Sequence, residues 1–251
     1  MSGLPNVSLA DYYDKVKHNP VTRNMVRLQY VKTFAEFIDI FYEVLDYAIA
    51  RLQENPQHHQ EDSEDGLTVK LMNLLEMAGF AVTTGTTGGG NKDLTVRWLN
   101  PDWSWIGEAK KFNSLTDVRE GFLQLTTRYR NANPLFARAG LVAYTLRPKA
   151  ALLLKEWMEA VPGVASETQV QLENFRVEDC KRSPGLAFNS FHTHVASGLE
   201  CEIRHMAIVL FHLPEDKSGR AAKKYQSARD AISAADITTP PESNDGGAAA
   251  A

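Results

Sequence analysis

The chain has 251 residues, 43% of them hydrophobic, and a formal net charge of −4, so it can bury the core of one domain with additions or of two small domains. Apolar runs such as 150–154 and 206–213 are too short to span a bilayer, and the N-terminus shows no secretory signal. Only two cysteines are present, Cys180 and Cys201, which argues against a disulfide framework. We therefore expect a soluble, cytoplasmic protein that does not contact a membrane.

The N-terminal part of the chain is predicted to be helical. In residues 27–53 apolar side chains recur every three or four positions, which is typical of an amphipathic helix. Such a helix can pack on the core, or it can bind a second copy of the chain or a partner protein. Residues 1–56 are therefore assigned to an N-terminal helical extension, with a boundary at the acidic segment 55–65. A second helix follows and ends at Gly79.

The centre of the chain predicts a β-hairpin. After a loop of Thr and Gly at 83–91, two strand-like runs occupy 93–99 and 103–112. Between them stands Asn100-Pro101-Asp102, a favourable turn sequence. Glycines 88–90 and Lys92 do not form a phosphate-binding loop, because no Gly-Lys-Ser/Thr sequence follows them.

A hairpin with a four-residue loop places Thr95 opposite Glu108 and Asp93 opposite Lys110. Alternation then puts Asp93, Glu108 and Lys110 on one face, with the two carboxyl groups about 7 Å apart as diagonal neighbours. The apolar residues of both strands point to the other face. The sequence therefore predicts one buried face and one polar face that carries two acids and a lysine.

The second half of the chain combines helices and strands. A helix, a buried strand, a second helix and three segments of strand-like alternation are predicted in this order at 114–130, 140–146, 148–160, 175–177, 191–195 and 203–213. Residues 161–213 are therefore a β-rich C-terminal portion of the same domain. The polar segment 214–251 is expected to be a disordered tail.

The predicted polar face has a definite chemistry. Hard carboxylate oxygens suit Mg²⁺, and Mn²⁺ as well, so Asp93 and Glu108 are candidate metal ligands. Such an ion lowers the pKa of a bound water and screens charge on a phosphate. Lys110 beside it can orient that water and stabilise the developing charge. The two acids also favour the charged form of Lys110.

These residues resemble a known family. The order helix, strand with Asp93, strand with Glu108-Ala109-Lys110, helix, strand is similar to that of the PD-(D/E)xK nucleases, although no proline precedes Asp93. The resemblance covers residues 61–146. It implies an α/β fold, the restriction-endonuclease-like core, with a central mixed β-sheet flanked by helices over residues 57–160. It also implies a Mg²⁺-dependent endonuclease that hydrolyses DNA, with bacterial restriction or anti-phage defence as the favoured setting.

The family often carries an acid on the helix before the sheet. The resemblance assigns this position to Glu64 as a further metal ligand, while Glu61 and Asp65 compete for the role. Some branches also carry a Gln-x-x-x-Tyr element on the helix after the lysine strand. In this chain Gln124 fits the first position, which implies a catalytic role in orienting the lysine or the substrate, and Arg128 stands at the second.

The distribution of charge is compatible with a nucleic-acid partner. Residues 67–160 carry twelve Lys and Arg against eight Asp and Glu, whereas the remainder of the chain is acidic. Lys92, Lys111 and Arg128 are the predicted DNA contacts. The alternative is a subunit that retains the fold and binds nucleic acid or oligomerises without catalysis.

A zinc site is a further pattern, but it is not favoured. His192, His194, Cys201 and His205 fall in pairs that could share a face of a strand or helix. Spacing this loose occurs often without a metal, and histidines packed among aromatic residues are commoner in strands.

Overall fold

The computed structural model describes residues 7–87, 91–98, 100–128, 137–167 and 169–214, with positions 216, 225–226, 229–230 and 232. Contacts divide the chain into two compact units, Met1–Phe211 and His212–Ala251. All the elements named below belong to the first unit. The predicted disordered tail, 214–251, lies mostly outside the described residues.

Helices occupy most of the N-terminal third of the chain. They are α1 (Leu9–Val16), α2 (Pro20–Leu28), α3 (Phe34–Gln53) and α4 (Glu64–Met77), with a 3₁₀ turn at Pro56–His58. The helix predicted at 27–53 is thus divided. Thr33 and Glu36 form a reciprocal capping box, which satisfies free backbone N–H groups and starts α3 at Phe34.

The centre of the unit is a mixed sheet of seven strands in the order β1-β4-β5-β6-β9-β8-β7. The strands are β1 (Ala81–Thr83), β4 (Leu94–Trp98), β5 (Asn100–Lys111), β6 (Arg138–Thr145), β7 (Glu173–Asp179), β8 (Ala187–Thr193) and β9 (Glu200–Val209). Strands β5, β6 and β9 run parallel, and the other pairs are antiparallel. Part of the predicted loop 83–91 forms a separate two-stranded ladder, β2 (Thr86–Thr87) with β3 (Asn91–Lys92).

Helices cover both faces of the sheet. The first face packs against α3 and α4 through buried side chains such as Phe37, Phe41 and Leu71. The second face packs against α5 (Leu115–Leu123) and α6 (Ala150–Ala165). The expectation of an α/β protein with a central mixed sheet flanked by helices is confirmed. The boundary predicted at residue 56 does not separate compact units, because α3 supplies a large part of the first core.

The register of the central hairpin differs from the prediction. Thr95 lies opposite Ile106 rather than Glu108, because the pairing shifts at an irregularity between Arg97 and Trp98. The register is therefore displaced by two residues. Since side chains alternate with a period of two, this displacement leaves every residue on its predicted face. The polar face is not open to solvent: it lies under α5, and Glu108 is only 1% exposed.

Trp105 anchors β5 to the first core. Its indole is fully buried, with its ring centroid 4.9 Å from that of Phe41. Two glycines leave room for it. A Cβ atom would lie 2.6 Å from the indole at Gly107 and 2.2 Å from it at Gly140. Distances this short are repulsive, so the tight packing of β5 on β6 requires glycine at both positions.

Within the described residues, no helix has both the length and the apolar character needed to cross a membrane.

We expect Gly140→Ala to lower the free energy of unfolding by about 1–3 kcal/mol or more, because the added methyl group overpacks the Trp105 site. Gly163→Ala is the matched control, since Gly163 lies in α6 and a Cβ atom added there would meet no neighbouring atom within 4 Å. That change should leave stability unchanged or raise it by up to about 1 kcal/mol. Urea denaturation of both variants measures the difference, and equal stabilities would contradict this account of the core.

Candidate active site

Four predicted site residues converge from three places in the fold. Glu64 is the first residue of α4, where the Ser63 side chain caps the helix by accepting a hydrogen bond from the Gly66 N–H. Asp93 immediately precedes β4, and Glu108 and Lys110 alternate on β5. The β4–β5 pairing brings Asp93 beside Glu108.

Lys110 lies at the centre of this group. Its Nζ atom is 2.7 Å from Glu108 Oε1, 3.5 Å from Glu64 Oε1 and 3.9 Å from Asp93 Oδ2. One ammonium group therefore faces three carboxyl groups. We call these four residues the carboxylate cluster.

The backbone of β5 holds two of the acids in place. Asp93 Oδ2 accepts a hydrogen bond of 2.8 Å from the Ala109 N–H, and Glu64 Oε2 accepts one of 2.6 Å from the Lys111 N–H. Charge-assisted bonds of this kind are short and directional. Of the three competing acids, Glu64 is the one that joins the cluster; Glu61 and Asp65 are exposed to solvent.

Glu108 is the most buried member of the carboxylate cluster. No donor among the described residues reaches its Oε2 atom. Burial, and then the nearby Asp93 carboxylate, raises the pKa of Glu108 to about 8, although Lys110 opposes this shift. Burial by itself would lower the pKa of Lys110, but its hydrogen bond to Glu108 and the surrounding acids raise it. Lys110 is thus charged at neutral pH, whereas Glu108 readily holds a proton.

Gly121 on α5 is a component of the site that sequence reasoning missed. A Cβ atom there would lie 2.7 Å from Leu141 Cδ1, 3.0 Å from Lys110 Cγ and 3.3 Å from Glu108 Cγ. Only a residue without a side chain lets α5 approach the cluster this closely. The sequence did contain a signal for this position: a glycine lies between Val118 and Phe122, which are on the apolar face of the predicted helix.

The cluster opens on the side away from α5. The Glu64 and Asp93 side chains are 34% and 28% exposed, whereas Lys110 is 17% and Glu108 1% exposed. Solvent therefore reaches the group past Glu64 and Asp93.

The helix predicted at 114–130 changes from an α-helix to a π-helix at Gln124. It is α-helical to Leu123 and then makes a π-helical turn, Gln124–Arg128, that packs against β5 and β6. Hydroxyl groups of Thr126 and Thr127 donate to carbonyl groups of the preceding turn, which favours a local distortion. Gln124 and Arg128 are thus the first and the last residue of this π-helical turn.

The predicted DNA contacts are only partly covered by the structure. Lys111 is half-buried at the end of β5, next to the cluster. Lys92 lies in β3 and Arg128 ends the π-helical turn, but their side chains lie outside the described part of the chain.

A divalent cation requires several oxygen ligands around one point. Among the described residues, no three His, Cys, Asp or Glu side chains are grouped so that they could hold an ion as they stand. In this arrangement the Lys110 ammonium group lies among the three acids. The donor chemistry nevertheless fits Mg²⁺ or Mn²⁺, since the acids offer hard oxygens and Glu108 Oε2 is buried without a donor.

His205, one of the residues of the disfavoured zinc pattern, belongs to a different network. Its Nδ1 atom accepts a hydrogen bond of 3.0 Å from the Trp157 indole, and its Nε2 atom lies 2.8 Å from Ser190 Oγ. The Nε2 atom must then carry the proton and donate to the serine. Burial lowers the pKa of His205 to about 3, so it is a neutral residue packed between Phe188 and Trp157.

No family of known proteins matches the chain, and comparisons with curated proteins and with solved structures found no significant match.

Glu108→Gln tests the buried carboxyl group. Because the folded-state pKa is raised from 4.5 to about 8, the folded protein keeps a proton that the unfolded chain releases in this window. Stability without metal should therefore fall as pH rises from about 4.5 to 8. Glu108→Gln should remove this loss and, at pH 8.5 in EDTA, raise the free energy of unfolding by a few kcal/mol, about 1.4 kcal/mol for each pKa unit. Denaturation at several pH values measures the free energy of unfolding of the wild type, of Glu108→Gln and of the exposed control Glu159→Gln. If the wild type and Glu108→Gln showed the same dependence of stability on pH, the burial of Glu108 would be contradicted.

Gly121→Ala tests the cover over the cluster. The added methyl group forces α5 away from Leu141, which should lower the free energy of unfolding by about 1–3 kcal/mol. Water then reaches Glu108, its pKa returns toward the ordinary value, and the fall of stability between pH 5 and 8 becomes shallower. Unchanged stability together with an unchanged pH slope would show that α5 does not seal the site.

Proposed function

We propose that this protein is a metal-dependent nuclease that hydrolyses phosphodiester bonds of DNA on a restriction-endonuclease-like core. The observation that carries the proposal is the convergence of Glu64, Asp93 and Glu108, from three separate elements, on the single ammonium group of Lys110. Glu108 is buried and its Oε2 atom has no donor among the described residues, and burying such an oxygen is unfavourable for folding. Its retention therefore favours a chemical role.

Glu64, Asp93 and Glu108 are the residues that would hold a Mg²⁺ or Mn²⁺ ion. The bound ion supplies an activated water and screens the negative charge of the phosphate. The backbone bonds from Ala109 and Lys111 keep two of these acids in fixed positions before any ligand arrives. Such preorganisation avoids the cost of ordering the site during the reaction.

Lys110 is the residue that positions the attacking water. Its hydrogen bond to Glu108 directs the ammonium group into the cluster, and the three acids keep it charged. A fixed positive charge there stabilises the charge that develops on the phosphate oxygens. Gln124, at the start of the π-helical turn beside β5 and β6, is proposed to orient Lys110 or the substrate.

DNA is proposed to approach past Glu64 and Asp93, the exposed side of the cluster. Lys92 and Lys111 are adjacent in the chain to Asp93 and Lys110, and Arg128 ends the turn that Gln124 begins. Their positive charges would bind backbone phosphates without reading sequence. The family resemblance supports a setting in bacterial restriction or anti-phage defence, in the cytoplasm.

A subunit that oligomerises or binds nucleic acid without cutting it is the second candidate. It is favoured by a cavity of about 600 Å³ between α1, α2 and α3, with Leu9, Tyr13 and Ile40 in its lining. Tyr30, in the same lining, is 59% exposed. Light scattering of the full chain and of Tyr30→Asp tests this candidate, which predicts a concentration-dependent dimer that the variant loses.

Lys110→Ala is the decisive variant for catalysis. Cleavage of plasmid or linear duplex DNA with Mg²⁺ should be abolished by EDTA in the wild type. Loss of one electrostatic group at the reacting centre should lower the rate about 10²–10³-fold in Lys110→Ala. Metal binding should survive, because all three acids remain. Asp93→Asn should instead weaken metal affinity and cleavage together, while it keeps an acceptor for the Ala109 N–H.

The controls separate the chemical step from charge alone. Lys110→Arg keeps the positive charge but changes its shape and reach, so it should restore little activity. Lys111→Ala should mainly raise KM. Lys155 is exposed on α6, so Lys155→Ala should change neither kcat nor KM. Substantial cleavage by Lys110→Ala at saturating Mg²⁺ would break the proposed mechanism, and no cleavage of any DNA or RNA by the wild type would favour the second candidate.

A further inference from the structure

A polar cavity lies on the face of the sheet opposite the carboxylate cluster. It has a volume of about 380 Å³ and lies beside α3 at β8 and β9. Tyr42, Arg138, Asn189, Glu202 and Arg204 are part of its lining. Cavities of about 300–1,000 Å³ are the usual size of small-molecule sites. We call it the Arg204 cavity.

Arg204 is a cation inside the protein, with 1% of its surface exposed. Its Nη2 atom donates to Asp46 Oδ1 at 2.6 Å and to Ser183 Oγ at 3.1 Å. The guanidinium also lies over the Tyr42 ring, 5.0 Å from the centroid. Its Nε and Nη1 atoms, however, have no acceptor among the described residues. Buried guanidinium donors are almost always bonded, so two vacant ones indicate a missing acceptor.

Asn189 offers the complementary group. Its Oδ1 atom is buried and receives no hydrogen bond from any described residue. Arg204 and Asn189 both line the cavity, so a ligand within it lies next to the residues that carry these two N–H groups and this carbonyl oxygen. A ligand that satisfies both must carry acceptor oxygens and an N–H or O–H group.

The charges of the cavity wall are already balanced. Arg138 Nε pairs with Glu202 Oε2 at 3.0 Å, and Arg182 pairs with Asp39 at 3.2 Å. Broad attraction for a highly charged polyanion such as DNA is therefore absent from this wall. Selection depends instead on the vacant hydrogen-bonding groups of Arg204 and Asn189.

We propose that the Arg204 cavity binds a small organic anion, whose carboxylate or phosphate oxygens accept hydrogen bonds from Arg204 and whose N–H or O–H group donates to Asn189. Charge-assisted bonds to a buried guanidinium are strong, because little water competes for them. The site is independent of the proposed nuclease activity, since it uses other residues on the other face of the sheet.

Binding can be measured on the full chain by calorimetry and thermal denaturation, with L-glutamate as a carboxylate probe, AMP as a phosphate probe and sulfate as an anion without a donor. We expect L-glutamate or AMP to bind with a Kd below about 1 mM and to raise Tm. Sulfate should bind at least about tenfold more weakly, since it cannot donate to Asn189. Whichever organic probe binds shows whether a carboxylate or a phosphate is preferred.

Asn189→Ala removes a neutral acceptor without leaving a charge unpaired, and should weaken binding about tenfold while the fold is kept. Arg204→Gln alone would strand Asp46, so the double variant Asp46→Asn with Arg204→Gln is the second test and should abolish binding. Asn73→Ala, exposed on α4, is the matched control and should bind like the wild type. Failure of both organic probes to bind the wild type, or wild-type affinity in both Asn189→Ala and the double variant, would overturn the proposal.

Discussion

The buried carboxyl group of Glu108 is the constraint on which the site and much of the fold depend. An acid that is 1% exposed is unfavourable unless a cation or a proton balances it, and Lys110 at 2.7 Å is the balancing group within the described residues. The lysine can reach only because β5 places both residues on one face, two positions apart. Gly121 then lets α5 close over the pair, so one glycine connects the packing of a helix to the electrostatics of the site.

Strand β5 meets opposite requirements on its two faces. On one face Trp105 fills the core beneath α3, and Gly107 and Gly140 admit its ring. On the other face Glu108 and Lys110 belong to the carboxylate cluster. Asp93 and Glu64 join them there by accepting hydrogen bonds from the β5 backbone. The rigid packing of the first face therefore fixes the positions of the acids on the second, and a shift of β5 would disturb the core and the cluster together. A site built on a central strand is for this reason more exactly placed than one on a loop.

The sequence predicted that the two acids and the lysine share one face of the hairpin, because this depends only on whether the residues are an even number of positions apart along each strand. Alternation along β5 survives a register error of two residues, so Asp93, Glu108 and Lys110 were placed correctly on one face although the hairpin register was wrong. Three features depend on tertiary contacts, for which a single sequence has no local pattern. They are the irregularity at Arg97 and Trp98, the packing of α5 over the cluster, and the π-helical turn. The Arg204 cavity was missed for the same reason, since α3, β8 and β9 come together only in the folded protein.

Charge balance is the physical argument behind the proposed metal site. With all groups ionised, three carboxylates face one ammonium group, which leaves a local excess of negative charge. The raised pKa of Glu108, about 8, comes first from burial and then from the Asp93 carboxylate, and a proton on Glu108 relieves the excess. A divalent cation relieves it as well, because it adds positive charge at the same oxygens. In the proposed mechanism a proton and a cation are therefore alternative partners for Glu108. The same excess repels the negative backbone of DNA until a cation is bound, so in the proposed mechanism substrate binding and metal binding favour each other.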